Sequence, residues 1–205
     1  MPVQYADPNV SRRKFERELA EYRTLGGEYR RRGWILIEAE FPRVLVALAS
    51  TKLKPPALVM GVAFDYMNYD AAPPSVRIVD PLTGEPFKHK ELPNPLNRAL
   101  PQQELALPMP AAGVPGIQKV MLQGAQPYLQ AYGPEEVPFL CLAGVREYHE
   151  HPAHSGDVWE LHRASGAGRL VRLLEVIHRY GIEPIVGMNV QLVPQFSINY
   201  GPPPP

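Results

Sequence analysis

Proline is distributed unevenly along this chain, and its distribution limits where helices and sheets can form. The 205 residues include 25 prolines, concentrated between Pro73 and Pro138 and in the terminal run from Pro202 to Pro205. Proline has no backbone N–H and interrupts helices and central strands. We therefore predict that the middle region is ordered loop more than helix or sheet, with short helical turns in NPLNRAL and QKVMLQGAQPYLQAY. A long irregular connection of this kind is uncommon unless it is functional.

The length and charge of the chain limit its organisation and its partners. We predict one domain over residues 1–200, with a proline-rich irregular insert at 81–138 and a proline tail at 201–205. The 21 basic and 21 acidic residues balance, so we expect neither nucleic acid nor a membrane as a partner. The basic run at 30–32 is interpreted as a solvated helix end, with a docking patch as the alternative. No segment has the apolar length of a signal peptide or a membrane span, so we expect a cytoplasmic protein.

An amphipathic helix is predicted near the start of the sequence. Ser11 is a candidate N-cap for this helix. Phe15, Leu19 and Tyr22 then recur at helical spacing among charged residues, which is typical of one apolar face. Gly33 is expected to end the helical region.

The segments after this helix predict an antiparallel sheet. Alternating and β-branched residues predict two strands in WILIEAEFPRVLVALAS, a third in ALVMGVAFDYM and a fourth in SVRIVD. After the middle region, VPFLCL is a short apolar run, GRLVRLLEVIHRYG predicts a helix closed by Gly181, and PIVGMNVQLV is a candidate last strand. We therefore expect an α+β fold with helices packed on one face of an antiparallel meander.

A dense cluster of reactive side chains begins at the single cysteine. The stretch CLAGVREYHEHPAHSGDVWELH places thiol, imidazole and carboxylate groups within 22 positions: Cys141, Glu147, His149, Glu150, His151, His154, Asp157 and His162. These side chains bind zinc, and they also form and use a thiolate. One cysteine excludes a disulfide within the chain and a zinc site made of cysteines alone. Trp159 and Leu161 are interpreted as packing anchors, and the isolated His89 and His178 as ordinary residues.

The spacing of the cluster separates zinc binding from thiol chemistry only in part. His149 and His151 would share one side of an extended segment, whereas His151 and His154 would share one face of a helical turn. No CxxC or HExxH motif favours zinc. A cysteine between apolar residues, such as Cys141, is most often a buried small hydrophobic residue. The density of the cluster, rather than any one member, therefore points to a functional site.

The order of elements, together with local strings, resembles the ubiquitin-conjugating (E2) fold. FDYMNYDAAPPSVRIVD is similar to the E2 segment in which an aromatic-rich strand leads through a tyrosine and paired prolines into the next strand. FLCLAG is similar to the run that presents the thioester cysteine, and Trp159 and the helix from about Arg169 match the tryptophan and the helix that come after that cysteine. The resemblance implies an E2-like (UBC-like) α+β fold: an N-terminal helix, a four-stranded meander, an active-site cysteine run and a following helix, with a proline-rich insert.

The block from Cys141 to Trp159 is similar to a bacterial family described as predicted metal-binding and named for its Cys, Glu, His and His residues (CEHH). Genes of that family lie beside bacterial ubiquitin-like, E1-like and JAB-peptidase genes. The sequence departs from ordinary E2 enzymes, because GPEEVPFLC lacks the His-Pro-Asn that precedes their cysteine, and HPAH follows it instead. Either the histidines replace the missing asparagine, or the site binds metal without transfer chemistry. His151 and His154 are the first choice for the family's pair, with His149 next.

These resemblances imply an atypical E2-like carrier. Cys141 would accept the C-terminus of a bacterial ubiquitin-like protein from an E1-like enzyme as a thioester and pass it to a target, with no cofactor required. A histidine facing the thiol would act as the base and Glu147 would orient it, which makes the catalytic candidates Cys141, Glu147, His149, His151 and His154. The alternative is a zinc-binding adaptor or structural protein of the same pathway, with the ligands Cys141, Glu147, His151 and His154. A third interpretation is an interaction module whose proline-rich segments bind partners.

Overall fold

A computed structural model of the protein describes residues 3–109 and 116–189. The helices are α1 (Pro8–Thr24), α2 (Gly26–Arg31), α3 (Arg146–Glu150), α4 (Trp159–Arg163) and α5 (Leu170–Gly181). The strands are β1 (Trp34–Glu40), β2 (Arg43–Ser50), β3 (Ala57–Asp65), β4 (Ser75–Val79), β5 (Asn97–Ala99), β6 (Gln103–Met109), β7 (Gly116–Leu122), β8 (Ala125–Pro127), β9 (Leu129–Gln130) and β10 (Phe139–Leu140). Short 3₁₀ helices cover His89–Glu91 and Pro152–His154. No helix within the described ranges is long and apolar enough to span a bilayer.

Strands β1 to β4 form an antiparallel sheet in sequence order. Its register pairs Val46 with Val62 and Val62 with Ile78, and all three side chains are buried. Directly paired residues on neighbouring strands point to the same face, so these valines and isoleucine belong to one buried surface. The apolar faces of α1 and α5 join that surface in a single hydrophobic core. The predicted α+β fold with a four-stranded antiparallel meander is therefore confirmed.

Helix α1 begins one turn earlier than the sequence suggested. The Asp7 side chain accepts a hydrogen bond from the N–H of Asn9 at 2.8 Å, and proline occupies the first helical position. Proline is favoured there because that position has no helical partner for an N–H. Ser11 therefore lies inside the helix rather than at its N-cap, and it is buried. Phe15 and Leu19 are buried on one face, as their spacing predicted.

Two glycines close helical regions in different ways. Gly33 has a φ of 90°, and a Cβ at this position would lie 2.3 Å from the carbonyl oxygen of Ala49. The predicted end of the first helical region at Gly33 is therefore confirmed, and only glycine fits there. Gly181 is the last residue of α5, and the cap position falls on Ile182. The prediction that Gly181 is the C-cap is wrong by one residue.

The proline-rich middle region contains more sheet than predicted. Three two-stranded antiparallel ladders form within or beside it: β5 with β8, β6 with β7, and β9 with β10. The helical turns predicted in NPLNRAL and QKVMLQGAQPYLQAY are absent from the described residues, which form strands there. Each strand of a two-stranded ladder is an edge strand, so one side of its backbone needs no N–H donor. Pro108 and Pro127 are tolerated in strands for that reason.

The middle region also contributes to the core. Leu96 and Leu129 are fully buried and join the same hydrophobic cluster as the sheet and α5. Residues 184–189, the described part of the candidate last strand, form no strand. The rest of that candidate, 190–193, and the proline tail at 201–205 lie outside the described residues.

Candidate functional site

Cys141 directly follows the short strand β10, at the start of a tight turn. Its N–H donates to the carbonyl oxygen of Tyr128 at 2.7 Å. The turn continues with hydrogen bonds from Leu142 N–H to Leu140 and from Val145 N–H to Leu142. The thiol is partly buried, and burial raises its pKa because a thiolate loses hydration there. The predicted position of the cysteine at the end of an extended run is confirmed.

The side chain that faces the thiol is His154. Its Nε2 lies 3.6 Å from Sγ of Cys141, within reach of a weak sulfur hydrogen bond. The imidazole stacks on the ring of Tyr148, with centroids 3.9 Å apart and planes inclined by 22°. Pro152 begins the 3₁₀ turn that carries it. The prediction that a histidine, rather than Glu147, faces the thiol is confirmed.

Tyr148 is held in place by Asp157. The tyrosine hydroxyl donates to Oδ2 of Asp157 at 2.6 Å, and Nε2 of His162 lies 2.5 Å from Oδ1. The bonds from Tyr148 and His162 lower the pKa of Asp157. The bond to Asp157, together with burial, raises the pKa of Tyr148 to about 12. Tyr148 therefore remains a neutral phenol, and its fixed ring supports the imidazole of His154.

His149 joins the two loops that carry the thiol and the facing histidine. Its Nε2 lies 2.6 Å from the carbonyl oxygen of Ala143, and its Nδ1 lies 2.7 Å from that of Asp157. Carbonyl oxygens only accept hydrogen bonds, and a neutral imidazole donates through one nitrogen. Both contacts are hydrogen bonds only in the imidazolium form. His149 therefore acts as a brace between the loops and does not face the thiol.

Glu147 is bound to strand β4 instead of to a histidine. Its carboxylate accepts hydrogen bonds from the hydroxyl of Ser75 and from the N–H of Val76, the latter at 3.2 Å. It also pairs with Arg77 at 3.3 Å. The side chain is only 10% exposed, so these donors replace the water it loses. The prediction that Glu147 orients the catalytic histidine is wrong, and the residue instead fastens α3 to the sheet.

His151 lies in an aromatic setting beside His154. Its ring stacks on Phe139 at 4.7 Å between centroids and lies 5.6 Å from the ring of His154. The N–H of Ala153 donates to its Nδ1 at 3.2 Å, and Nε2 contacts the hydroxyl of Tyr132. Because Nδ1 accepts, the neutral ring carries its proton on Nε2 and donates to Tyr132. His151 thus packs next to the pair of thiol and imidazole without joining it.

A cavity of about 290 Å³ opens next to His151. Its walls include the rings of Tyr132 and Phe139 and the carboxylates of Glu136 and Glu150. Glu150 is exposed, and its carboxylate forms no hydrogen bond or ion pair within the described residues. The site therefore borders a space that can hold part of another molecule.

The four proposed zinc ligands do not come together in this structure. Cys141 and His154 are in contact, whereas Glu147 is bound to β4 and His151 to Tyr132. Among residues 3–109 and 116–189, no group of three histidine, cysteine, aspartate or glutamate side chains is arranged to hold a metal ion. Zinc in proteins takes about four ligands. The observed donor pair does not fit a zinc centre.

Sequence reasoning missed the supporting role of Tyr148. A tyrosine in a short helix gives no signal in the sequence beyond an apolar position, because its partners lie in other loops. The anchor predicted at Trp159 is confirmed, since the residue is buried and its Nε1 donates to the carbonyl oxygen of Asp70 at 2.9 Å. Leu161 is 69% exposed, so its interpretation as an anchor is wrong.

Comparison with known proteins places the chain in a family. Residues 6–185 match the family model described as Y4jH-like, the Y4jH family. The chain is also 42% identical over 194 residues to a protein of Sinorhizobium fredii named "Uncharacterized protein y4jH". That alignment covers 93% of this chain and 91% of the relative. The resemblances to the CEHH family and to E2 enzymes stay predictions. On the extent of both matches, the chain belongs to the Y4jH-like family.

Proposed function

We propose that this protein is an E2-like carrier that holds a ubiquitin-like protein as a thioester on Cys141, with His154 as the base. The observation that carries this proposal is the 3.6 Å separation between Sγ of Cys141 and Nε2 of His154. A nucleophile and a base within hydrogen-bond reach are the minimum for covalent catalysis. Burial raises the pKa of the thiol, so a base is needed to remove its proton at neutral pH.

The proposed step is the exchange of one thioester for another. Sγ of Cys141 attacks the carbonyl carbon of the thioester that links the ubiquitin-like protein to its E1-like enzyme. His154 takes the thiol proton as the new carbon–sulfur bond forms. The old carbon–sulfur bond breaks, and the leaving thiolate of the E1-like enzyme receives the proton from His154. Bonds and protons balance, and no cofactor enters.

The turn after the thiol offers donors for the oxyanion of this step. Within the described ranges, the backbone N–H groups of Ala143 and Gly144 donate to no protein acceptor. Free backbone N–H groups are a usual means of stabilising a tetrahedral oxyanion. They would stabilise the oxyanion in place of the asparagine that ordinary E2 enzymes carry before their cysteine.

Two further observations support an E2-like carrier over a zinc adaptor. The order of α1, the β1–β4 meander, Cys141 after an extended strand and a following α5 agrees with the E2 resemblance. Only Cys141 and His154 of the four proposed zinc ligands are in contact. The four residues proposed as zinc ligands therefore form no ligand set in this structure, and the geometry does not favour the zinc adaptor.

Reconstitution with an E1-like enzyme and a ubiquitin-like protein from the same genome tests the proposal. The wild type should form an adduct that thiol reagents cleave. Cys141→Ser should form a more stable oxyester, and Cys141→Ala should form nothing. An adduct of equal yield on the Cys141→Ala protein, or none on the wild type with an active E1-like enzyme, would overturn the proposal.

A further inference from the structure

A polar cavity of about 510 Å³ lies far along the chain from Cys141, where three elements end. It is bounded by the end of α2, by the end of β2 with the turn after it, and by the end of α5. Its lining is mostly charged or hydroxyl-bearing: Arg31, Arg32, Ser50, Thr51, Lys52, His178, Ile182 and Glu183. The proposed carrier function uses none of these residues.

The basic run at 30–32 divides between two cavities. Arg31 and Arg32 line this cavity, whereas Arg30 lines a different one with Trp34 and Leu36. The interpretation of the run as a plain solvated helix end is therefore incomplete. Two of its three charges border a concave surface, where electrostatic attraction is stronger than on an open helix.

The charges around the cavity leave a local positive excess. Arg32 forms a bidentate pair with Glu175, at 2.5 and 2.8 Å. Lys52 donates through Nζ to the carbonyl oxygen of Glu183, so its charge is not cancelled by that bond. Glu183 is the one carboxylate in the lining. The three cations Arg31, Arg32 and Lys52 therefore outnumber the two carboxylates, which are Glu183 in the lining and Glu175 beside Arg32. The chain as a whole is neutral.

His178 adds a titratable group to the wall. Its Nδ1 lies 3.4 Å from the guanidinium of Arg32 and 3.4 Å from the carboxylate of Glu183. Burial first, and then the charge of Arg32, lower the pKa of His178. An anion bound nearby would offset both effects, so binding should be accompanied by proton uptake.

We propose that this cavity binds a phosphate-bearing small molecule, with Arg31, Arg32 and Lys52 meeting its charge. A tetrahedral phosphate accepts several charge-assisted hydrogen bonds at once, and arginine matches its geometry well. None of the residues that line this cavity belongs to the site at Cys141. Either proposal can therefore fail without the other.

Calorimetric titration of the full chain with inorganic phosphate, at constant ionic strength against chloride, tests the site. The wild type should bind with a Kd of about 1 mM or tighter. Arg31→Ala and Lys52→Ala should each weaken binding about tenfold, the usual cost of one charge-assisted contact. Arg30→Ala is the matched control, because it removes the neighbouring charge outside the cavity, and it should bind as the wild type does.

Ser50→Ala is a second control, because it alters a residue of the cavity wall without removing a charge. It removes a buried hydroxyl without a protein partner, so the variant should be at least as stable as the wild type and should bind phosphate equally well. Direct titration is preferred to melting curves because phosphate stabilises proteins in general. No binding by the wild type, or equal affinities for the Arg30→Ala and Arg31→Ala proteins, would overturn the proposal.

Discussion

Cys141 is partly buried, and burial raises the pKa of its thiol because the thiolate loses hydration. An ordinary free thiol already has a pKa of about 8.5. The resting residue is therefore a neutral thiol at physiological pH, protected from adventitious reaction. In the proposed transfer, its chemistry depends on the imidazole of His154, which stacks on the ring of Tyr148.

The ring of Tyr148, rather than its hydroxyl, should matter most for transfer. Tyr148→Phe keeps the surface on which His154 stacks and loses only the bond to Asp157. Tyr148→Ala loses both. We expect the phenylalanine variant to retain most of the wild-type thioester transfer rate and the alanine variant to be slower by about tenfold or more. Equal loss in both variants, measured in single-turnover transfer, would show that the hydroxyl dominates.

At the residue scale, the sequence predicted which types of side chain meet at the site better than it predicted their individual contacts. The density of histidines around HPAH indicated that one of them would face the thiol, and His154 does. The partner of Glu147 was not predictable. A carboxylate in a short helix binds whichever donors the tertiary structure supplies, and here Ser75 and Val76 of β4 lie within its reach.

Among the structural elements, the turn after Cys141 packs against the segment that precedes α5. A Cβ on Gly144 would lie 2.1 Å from the carbonyl oxygen of Ala167, which is backbone and cannot move aside. Gly144→Ala should therefore lower the free energy of unfolding by about 2 kcal/mol or more. Chemical denaturation measures this change.

Gly156→Ala provides the matched control for Gly144→Ala. Gly156 lies in the same part of the chain, and a Cβ there would meet no atom within 4 Å. Its effect on the free energy of unfolding should stay within about 0.5 kcal/mol. Similar losses in the two variants would mean that the close contact at Gly144 does not limit the fold.

Elements with a clear hydrophobic period were predictable, and those without one were not. The four strands of the meander and the stripe of α5 carry regular apolar spacing, and both predictions are confirmed. The ladders of the middle region carry little such spacing. Strands β5 (Asn97–Ala99) and β8 (Ala125–Pro127), for example, are three residues long and exposed, so backbone pairing rather than burial defines them. The prediction from proline content alone therefore gave too little sheet in the middle region.

For the whole molecule, buried Glu18 connects α1 to the elements around it. Its carboxylate accepts hydrogen bonds from the N–H of Leu170, at the start of α5, and from the hydroxyl of Tyr69. The residue is 1% exposed, and burial raises its pKa above the usual 4.5. The folded protein therefore holds this proton more tightly than the unfolded chain does. The resulting contribution to stability is present below pH 4.5 and is lost as the pH rises through the folded pKa.

Glu18→Gln should stabilise the protein in a pH-dependent way. Glutamine keeps an acceptor for Leu170 but cannot ionise, so the variant avoids the cost of a buried charge. Its free energy of unfolding should exceed that of the wild type at pH 7, and the difference should shrink toward pH 4. Urea denaturation at both values measures it. Glu16→Gln, at an exposed carboxylate of the same helix, is the control and should show no such trend.

At the level of the whole chain, the α+β arrangement could be predicted from the sequence, and the assembly of the site could not. Apolar burial fixes the sheet and helices through patterns that are local in sequence. The loops that carry Cys141 and His154 are joined by contacts among polar groups, including the brace at His149. Such contacts depend on where each loop lies in the finished fold.

The rate of Cys141 alkylation by iodoacetamide, measured against pH, tests the central claim that His154 activates this thiol. The chain has one cysteine, so the rate reports Cys141 alone. We predict that His154→Ala is slower than the wild type by about tenfold or more near pH 7, and that the gap closes at high pH, where the thiol ionises unaided. His89→Ala, at an exposed histidine outside the site, should behave as the wild type does. Identical profiles for the wild type and His154→Ala at every pH would contradict the account.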